Sequence, residues 1–230
     1  MISSFSVHPI ATIETDFPEK FGVPRQSGRV ENEARVVFLP EYRTPEALRG
    51  IEGFDWLWLL FDFSLAHRET WSPTVRPPRL GGNTRMGVFA TRSPFRPNPI
   101  GLSSVRLLRV EHTKEQGDVL IVGGADLVSG TPILDIKPYL PAADAHPEAR
   151  GGFAAEVAGY RLRVECPENL LQILPAEKRA PLLDCLADDP RPSYQDDPAR
   201  VYHMRFSEWE IDFRVNEQIL TVENIRLWQN

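Results

Sequence analysis

Cysteine is scarce in this chain: Cys166 and Cys185 are the only two among 230 residues. They form neither a C-x-x-C pair nor a disulfide framework, which fits a reducing cytosol and leaves no cysteine-ligated metal site. The fifteen glycines contain no G-x-G pair, so the dinucleotide fingerprint and the glycine-rich cofactor loop of ordinary methyltransferases are both missing. There is no G-x-x-x-x-G-K-[ST] phosphate loop and no G-x-S-x-G nucleophile elbow. The five histidines are scattered, without H-E-x-x-H or any other ligand spacing. The longest apolar run, Trp56 to Phe61, has six residues, against about 18 for a membrane span. The start of the chain, Met1-Ile2-Ser3-Ser4-Phe5, has no basic region followed by an apolar stretch. No secretory leader is expected, and the expected location is the cytoplasm, away from membranes.

Lysine is equally scarce. Only Lys20, Lys114, Lys137 and Lys178 occur, and arginine supplies the rest of the 26 basic residues. The formal net charge is −6, which argues against a uniformly basic nucleic-acid coat. Between Arg68 and Arg109, however, there are eight arginines and a single acid, Glu69. A general preference for arginine explains the Arg/Lys ratio but not the near absence of acids in this segment. Guanidinium groups form planar donor forks suited to phosphate and carboxylate, and they stack on bases. A local anion or RNA site inside an acidic protein is the expectation.

Apolar residues make up 42% of the chain, enough for a core without disulfides or metals. Strands are predicted over Ser6–Thr15, Ala34–Leu39, Phe54–Phe63, Met86–Thr91, Leu102–Glu111 and Val119–Ala125, each rich in Val, Ile, Phe or Trp and bounded by Gly, Pro or Asn. Six strands with little helix between them predict a barrel or sandwich rather than a parallel βαβ sheet. Thr44–Arg49 suits one short helix. Two long irregular stretches, Pro18–Gly28 and Thr70–Arg85, are the loops in which function is expected. Linker composition from Pro141 to Gly152 divides the chain into a domain over residues 1–145 and a tail over 146–230. In the tail, leucines from Glu168 to Leu186 repeat at helical spacing in two pieces divided by Pro175 and Pro181. Val201–Phe206, Glu208–Val215 and Ile219–Leu227 alternate as strands. The tail is thus read as a small α+β unit and the chain as mainly β.

Several ordered motifs then carry a resemblance. Arg76-Pro-Pro-Arg-Leu-Gly-Gly-Asn83, Gly87-Val-Phe-Ala-Thr-Arg92 and Phe95-Arg-Pro-Asn-Pro-Ile-Gly101 resemble the TrmO family, also called YaeB/TsaA-like or VirR. So do Lys20-Phe-Gly-Val-Pro-Arg-Gln26, Asp126-Leu-Val128 with Gly130-Thr-Pro132, and Asp135-Ile-Lys-Pro-Tyr139. The motifs run from about Phe5 to Pro141, and Arg191-Pro-Ser-Tyr194 fits the two-domain bacterial branch. The resemblance implies an S-adenosyl-L-methionine-dependent methyltransferase, a homodimer whose catalytic domain is a β-barrel of non-Rossmann, class VIII-like type. It implies methylation of N6 of threonylcarbamoyladenosine at position 37, in the anticodon loop of threonine tRNA.

Given that reaction, the donor needs an apolar slot, acceptors for a ribose diol and a cation for its carboxylate. Pro24, Arg25 and Gln26 are assigned to line that pocket, with Arg25 as an anion partner. Arg92, at the end of a predicted strand, Leu102, and Ser64 with Leu65 are assigned to the same pocket. Gly123, Gly124 and Ala125 permit close backbone approach, and Asp126 is assigned to the ribose. A β-bulge at the glycines with Asp126 capping a turn is the plain structural alternative. Asp135, Lys137 and Tyr139 alternate, so a strand points them to one face. They are assigned as proton acceptor or orienter, charge partner, and stacking or hydrogen-bonding group. An ordinary Asp135–Lys137 ion pair on a solvated face is the competing reading. Arg76, Arg79, Arg85 and Arg96 are assigned to the substrate's carboxylate and phosphates. Two other functions stay open at this point: an RNA-binding barrel without catalysis, and a methyltransferase acting on an anionic small molecule.

Overall fold

A computed structural model of the chain describes residues 5–77, 84–156, 159–192, 195 and 197–229. Twelve strands are assigned among them: β1 (Ala11–Glu14), β2 (Glu33–Phe38), β3 (Trp56–Asp62), β4 (Thr74–Val75), β5 (Met86–Gly87), β6 (Ile100–Thr113), β7 (Gly117–Gly123), β8 (Thr131–Pro138), β9 (Arg163–Glu165), β10 (Tyr202–Phe206), β11 (Trp209–Asn216) and β12 (Ile219–Leu227). Six of them form an antiparallel sheet in the order β1-β2-β7-β6-β3-β8. β8 pairs back onto β1, with Ala11 opposite Ile133, so the sheet closes on itself and leaves no edge.

Period-2 patterning builds this sheet. On β3, Leu57, Leu59 and Phe61 are buried while Trp56, Trp58, Leu60 and Asp62 face outward. The interior is filled by these three with Ile13, Val36, Val105, Leu120 and Ile133, among others. Truncating Leu57 to Ala would cost about 2–5 kcal/mol by transfer and cavity terms. β7 is buried on both faces because Val119 and Ile121 meet Val37 and Leu108 outside the main core.

The second sheet runs β10-β11-β12-β9, with β9 parallel to β12. The twelve-residue helix Ala176–Ala187 contributes Leu182, Cys185 and Leu186 to its core. The first domain contributes as well: Phe17 and Val30 belong to this core, and Phe21 and Val23 pack against it. Gly22, at φ +98, approaches so closely that a Cβ there would meet the Met204 side chain at 2.7 Å.

Several expected elements differ. The strand expected over Ser6–Thr15 is confined to Ala11–Glu14, because Pro9 has no N–H for a ladder. Met86–Thr91 is a two-residue strand followed by a 3₁₀ turn, Val88–Ala90. The helix expected over Thr44–Arg49 is a 3₁₀ turn, Pro45–Leu48. Pro181 does not divide the tail helix. It lies inside it and is buried, so its ring packs into the core where its missing N–H forfeits a single helical bond. β8 was not foreseen as a strand by composition. Pro132 and Pro138 bracket it, and its middle carries Asp135 and Lys137.

Candidate active site

A cavity of about 720 Å³ opens where β3 ends and β6 begins, a size suited to a nucleotide-like ligand. Phe61, Phe63, Phe95 and Leu102 supply apolar wall, Lys20, Arg92 and Arg96 supply cations, and Asp62 and Asp126 supply carboxylates. Gly101 makes room for it. It stands opposite Phe61 across the β3–β6 ladder, and a Cβ at Gly101 would fall 2.2 Å from the Phe61 ring. The Arg68 guanidinium lies 3.7 Å from the Phe95 ring centroid, a cation–π contact.

Asp126 is the best-organised polar group. Ser103 Oγ donates to its Oδ1 at 2.6 Å. Burial pushes its carboxyl above the ordinary range, and Ser103, the Arg92 charge and the Ser27 amide oppose that shift without cancelling it. Arg92 Nη1 donates to Gln26 Oε1 at 2.8 Å. The Lys20 ammonium donates to the Leu65 carbonyl, tying the 20–26 loop to the end of β3.

Nine of the residues assigned from sequence line this cavity: Pro24, Arg25, Gln26, Ser64, Leu65, Arg92, Leu102 and Asp126, joined by Arg96. Arg25 does so with its guanidinium turned away. Its Nη2 donates to the carbonyls of Asp189 at 2.7 Å and Arg191 at 2.6 Å, so it holds protein carbonyls where an anion partner was expected. Gly123, Gly124 and Ala125 are not part of the wall. Gly123 backs onto Leu108 and Ala125 is core. Gly124, at φ +79, turns the chain, and its carbonyl accepts from the Gly28 amide at 2.9 Å. Arg85 sits outside the cavity on the β4–β5 hairpin, where Nη1 reaches Thr74 Oγ1 at 3.3 Å, and Arg76 follows β4 in an exposed position. Arg79 lies outside the described residues. The arginine-rich segment is also less uniform than its count suggests. Arg109 at the far end of β6 is paired with Glu33 and Glu111, and Arg106 is 4.0 Å from Glu31.

Asp135, Lys137 and Tyr139 do share a face, and a bulge chooses which. Phe61 pairs with Ile133 but Leu60 pairs with Asp135, so Leu134 is an extra residue on β8. Ile133 points into the core, and beyond the bulge Ile136 does, which sends Asp135 and Lys137 outward beside Leu60 and Trp58. Asp135 Oδ2 and Lys137 Nζ are 2.7 Å apart at 44% and 62% exposure. The Tyr139 ring is 5.5 Å from that of Trp58. Leu60 also pairs with Leu102, so two strand spacings, about 10 Å, separate Asp135 from the cavity rim. Bulges re-aim side chains in this way beside functional sites.

Sequence reasoning missed Ser103, Lys20, the phenylalanine walls, and the Asp62–His67 contact at 2.7 Å. Ser103 had a signal: it is a polar residue between Gly101 and Val105, at the inward positions of β6. The donor set fits S-adenosyl-L-methionine, with aromatic and aliphatic walls for adenine, a withdrawn carboxylate for a diol or cationic centre, and guanidinium and ammonium groups for a carboxylate.

Both halves of the chain match known family models. Residues 12–145 match the tRNA-methyltransferase O N-terminal domain and residues 161–227 the TrmO C-terminal domain, which places the chain in a class of methyltransferases. The tRNA (adenine(37)-N6)-methyltransferase of Escherichia coli (strain K12) is 42% identical over 225 residues, covering 94% of this chain and 95% of that protein. A Pseudomonas aeruginosa protein (strain PAO1) called putative S-adenosylmethionine-dependent methyltransferase RcsF is 42% identical over 228 residues and 90% of each chain. A crystal structure of TrmO from Pseudomonas aeruginosa superposes with a TM-score of 0.80 at 34% identity over 99% of each chain. The chain belongs to the TrmO family.

Proposed function

We propose that this protein methylates N6 of adenine 37 in tRNA with S-adenosyl-L-methionine as donor, and that the adenine already carries a threonylcarbamoyl group, as in threonine tRNA. The observation that carries this reading is the match to the E. coli enzyme along nearly the whole chain, joined to a cavity whose donor set fits the cofactor. Residues 1–145 form the catalytic β-barrel domain and residues 146–230 its C-terminal partner. The enzyme acts in the cytoplasm as a homodimer, in which a second copy covers the exposed apolar rim of Leu65, Ile100 and Leu102.

Bound S-adenosyl-L-methionine supplies an electrophilic methyl group on a sulfonium centre. Asp126, steadied by Ser103, accepts hydrogen bonds from the ribose diol. Arg92, oriented by Gln26, and Lys20 bind the cofactor carboxylate, while Phe61, Phe95 and Leu102 exclude water around it. On the acceptor side the difficulty is the N6 nitrogen, whose lone pair is delocalised into a urea-like group. Asp135, on the outer face two strand spacings from the rim, takes the N6 proton, and Lys137 is its ion-pair partner there. Tyr139 and Trp58 offer a stacking platform for the purine. Positioning supplies most of the acceleration. Arg76, Arg79, Arg85 and Arg96 grip the threonyl carboxylate and the phosphates.

The test is methyl transfer from labelled donor to threonine tRNA with and without prior threonylcarbamoylation, followed by mass spectrometry of position 37. Label on N6 only in the modified tRNA is the expected result. Equal rates on both tRNAs would remove the threonylcarbamoyl requirement. Label absent from tRNA but present on an acidic metabolite would replace the substrate class. Heat of binding with the donor absent altogether would leave an RNA-binding protein. Phosphate contacts also require activity to fall steeply as salt rises.

A further inference from the structure

The wall of the cavity formed by residues 20–27 is held from two sides: by Leu65, Arg92 and Gly124 of the domain that contains the cavity, and by the C-terminal domain behind it. Within it, consecutive residues face opposite ways. Arg25 is gripped by the second domain: its amide donates to Asp188 Oδ2 at 3.3 Å, and its guanidinium to the carbonyls of Asp189 and Arg191. Gln26 and Ser27, the next two residues, reach Arg92 and Asp126, the groups that organise the cavity. Asp188 terminates the helix Ala176–Ala187 and is only 3% exposed. Its other oxygen pairs with Arg29, across the Gly28 turn. One turn earlier in the same helix, Cys185 Sγ donates to the Gly22 carbonyl at 2.8 Å. Asp189, at φ +54, is itself locked by three bonds from Arg191 and one from Tyr160. Two ends of the loop are thus pinned to the end of one helix, and its middle projects into the site.

We propose that Asp188 is a positioning residue for the methyl-transfer reaction: by holding the Arg25 amide and Arg29 together, it sets where Gln26 and Ser27 meet Arg92 and Asp126, so the C-terminal domain shapes the donor pocket from behind. The inference rests on the proposed function, and goes beyond it in giving the second domain a part in cofactor binding. A displacement of about 1 Å in such a support changes binding and rate substantially without any loss of contact to ligand.

The experiment compares S-adenosyl-L-methionine binding by calorimetry, and KM and kcat on tRNA, for the full chain and for Asp188→Asn and Arg29→Gln. Arg29 lies outside the cavity wall and is partly exposed, so Arg29→Gln keeps the test open if Asp188→Asn fails to fold. Both are expected to weaken donor binding and raise its KM about tenfold, with kcat at saturating donor lowered less than about twofold. The double variant is expected to match the worse single variant, since both break one contact. Asp184→Asn, which breaks only the exposed pair with Arg161, is expected to change neither quantity. Donor affinity unchanged in folded Arg29→Gln protein overturns the proposal, as does a loss accounted for by the unfolded fraction in a thermal melt. If the unaltered protein releases no heat with the donor, the proposed function itself has failed.

Discussion

Asp126 and Asp135 stand on either side of the turn into β8, in two motifs that read much alike in sequence, yet their surroundings are opposite. Asp126 is largely withdrawn from water, bonded to a buried serine and within reach of the Arg92 charge. Asp135 is 44% exposed and tied to a still more exposed lysine head on the outer face. Environment divides the work of paired carboxylates more than residue type does. Under the proposed function, the inner one holds a ligand in one place and the outer one meets a large substrate arriving from solution. A one-residue bulge at Leu134 makes the difference, since without it Asp135 would share the inward parity of Ile133.

The largest effect is expected at the inner carboxylate. Asp126→Asn keeps the shape and an acceptor for Ser103 but removes the charge, and kcat/KM is expected to fall about a hundredfold through weaker donor binding, a loss typical of a buried charged contact. Calorimetry with the donor alone checks this, and unchanged affinity would erase the distinction between the two sites. Asp135→Asn is expected to lower kcat on tRNA about tenfold to a hundredfold, leaving donor affinity and melting temperature nearly as they were. An exposed ion pair contributes only about 0–1 kcal/mol to stability. Equal damage to donor binding from both variants would show that they serve one pocket. Gly101→Ala tests the wall between them. Its new methyl group overlaps the Phe61 ring, and overpacking of this kind costs about 1–3 kcal/mol. A lowered melting temperature together with weakened donor binding is the expected pair of readings.

What was legible in the sequence follows from what is local. The pattern Trp56-Leu-Trp-Leu-Leu-Phe-Asp62 declares a strand with Leu57, Leu59 and Phe61 on one side, and the structure agrees. Pro24, Gln26, Arg92 and Asp126, which the family motifs contain, meet at one cavity, with Leu102 beside them. Alternation correctly put Asp135 and Lys137 on the same face, but period 2 cannot say which face, and a bulge leaves no mark in composition. Arg25 also lines the cavity, but the direction of its guanidinium was not legible. Its partners, Asp188, Asp189 and Arg191, are far away in the chain, and no local pattern reports a contact between two domains. Gly123 and Gly124 looked like room for a ligand. Gly124 instead gives the backbone a left-handed turn against Gly28.

The smallest expected effect concerns stability, and its sign opposes the effect on activity. Burial raises the Asp126 carboxyl above its ordinary pKa, so the folded state binds the proton more tightly than the unfolded chain does. A carboxyl shifted upward favours folding below its unfolded pKa, and that contribution is lost as pH rises through the folded value. Wherever the folded carboxyl is ionised, the chain therefore bears the cost of a desolvated anion. Asp126→Asn removes that anion, so the apo variant is expected to melt slightly above the unaltered protein at pH 7. The gain should begin to shrink as pH falls through the raised folded pKa of Asp126 and vanish below the ordinary carboxylate pKa, where the group is neutral in both states. Thermal melts of both proteins between pH 4 and 8, without donor, read the difference directly. A variant less stable at pH 7 would mean that the bonds from Ser103, Ser27 and Arg92 outweigh burial, and that the inner carboxylate is settled there for structure as much as for a ligand.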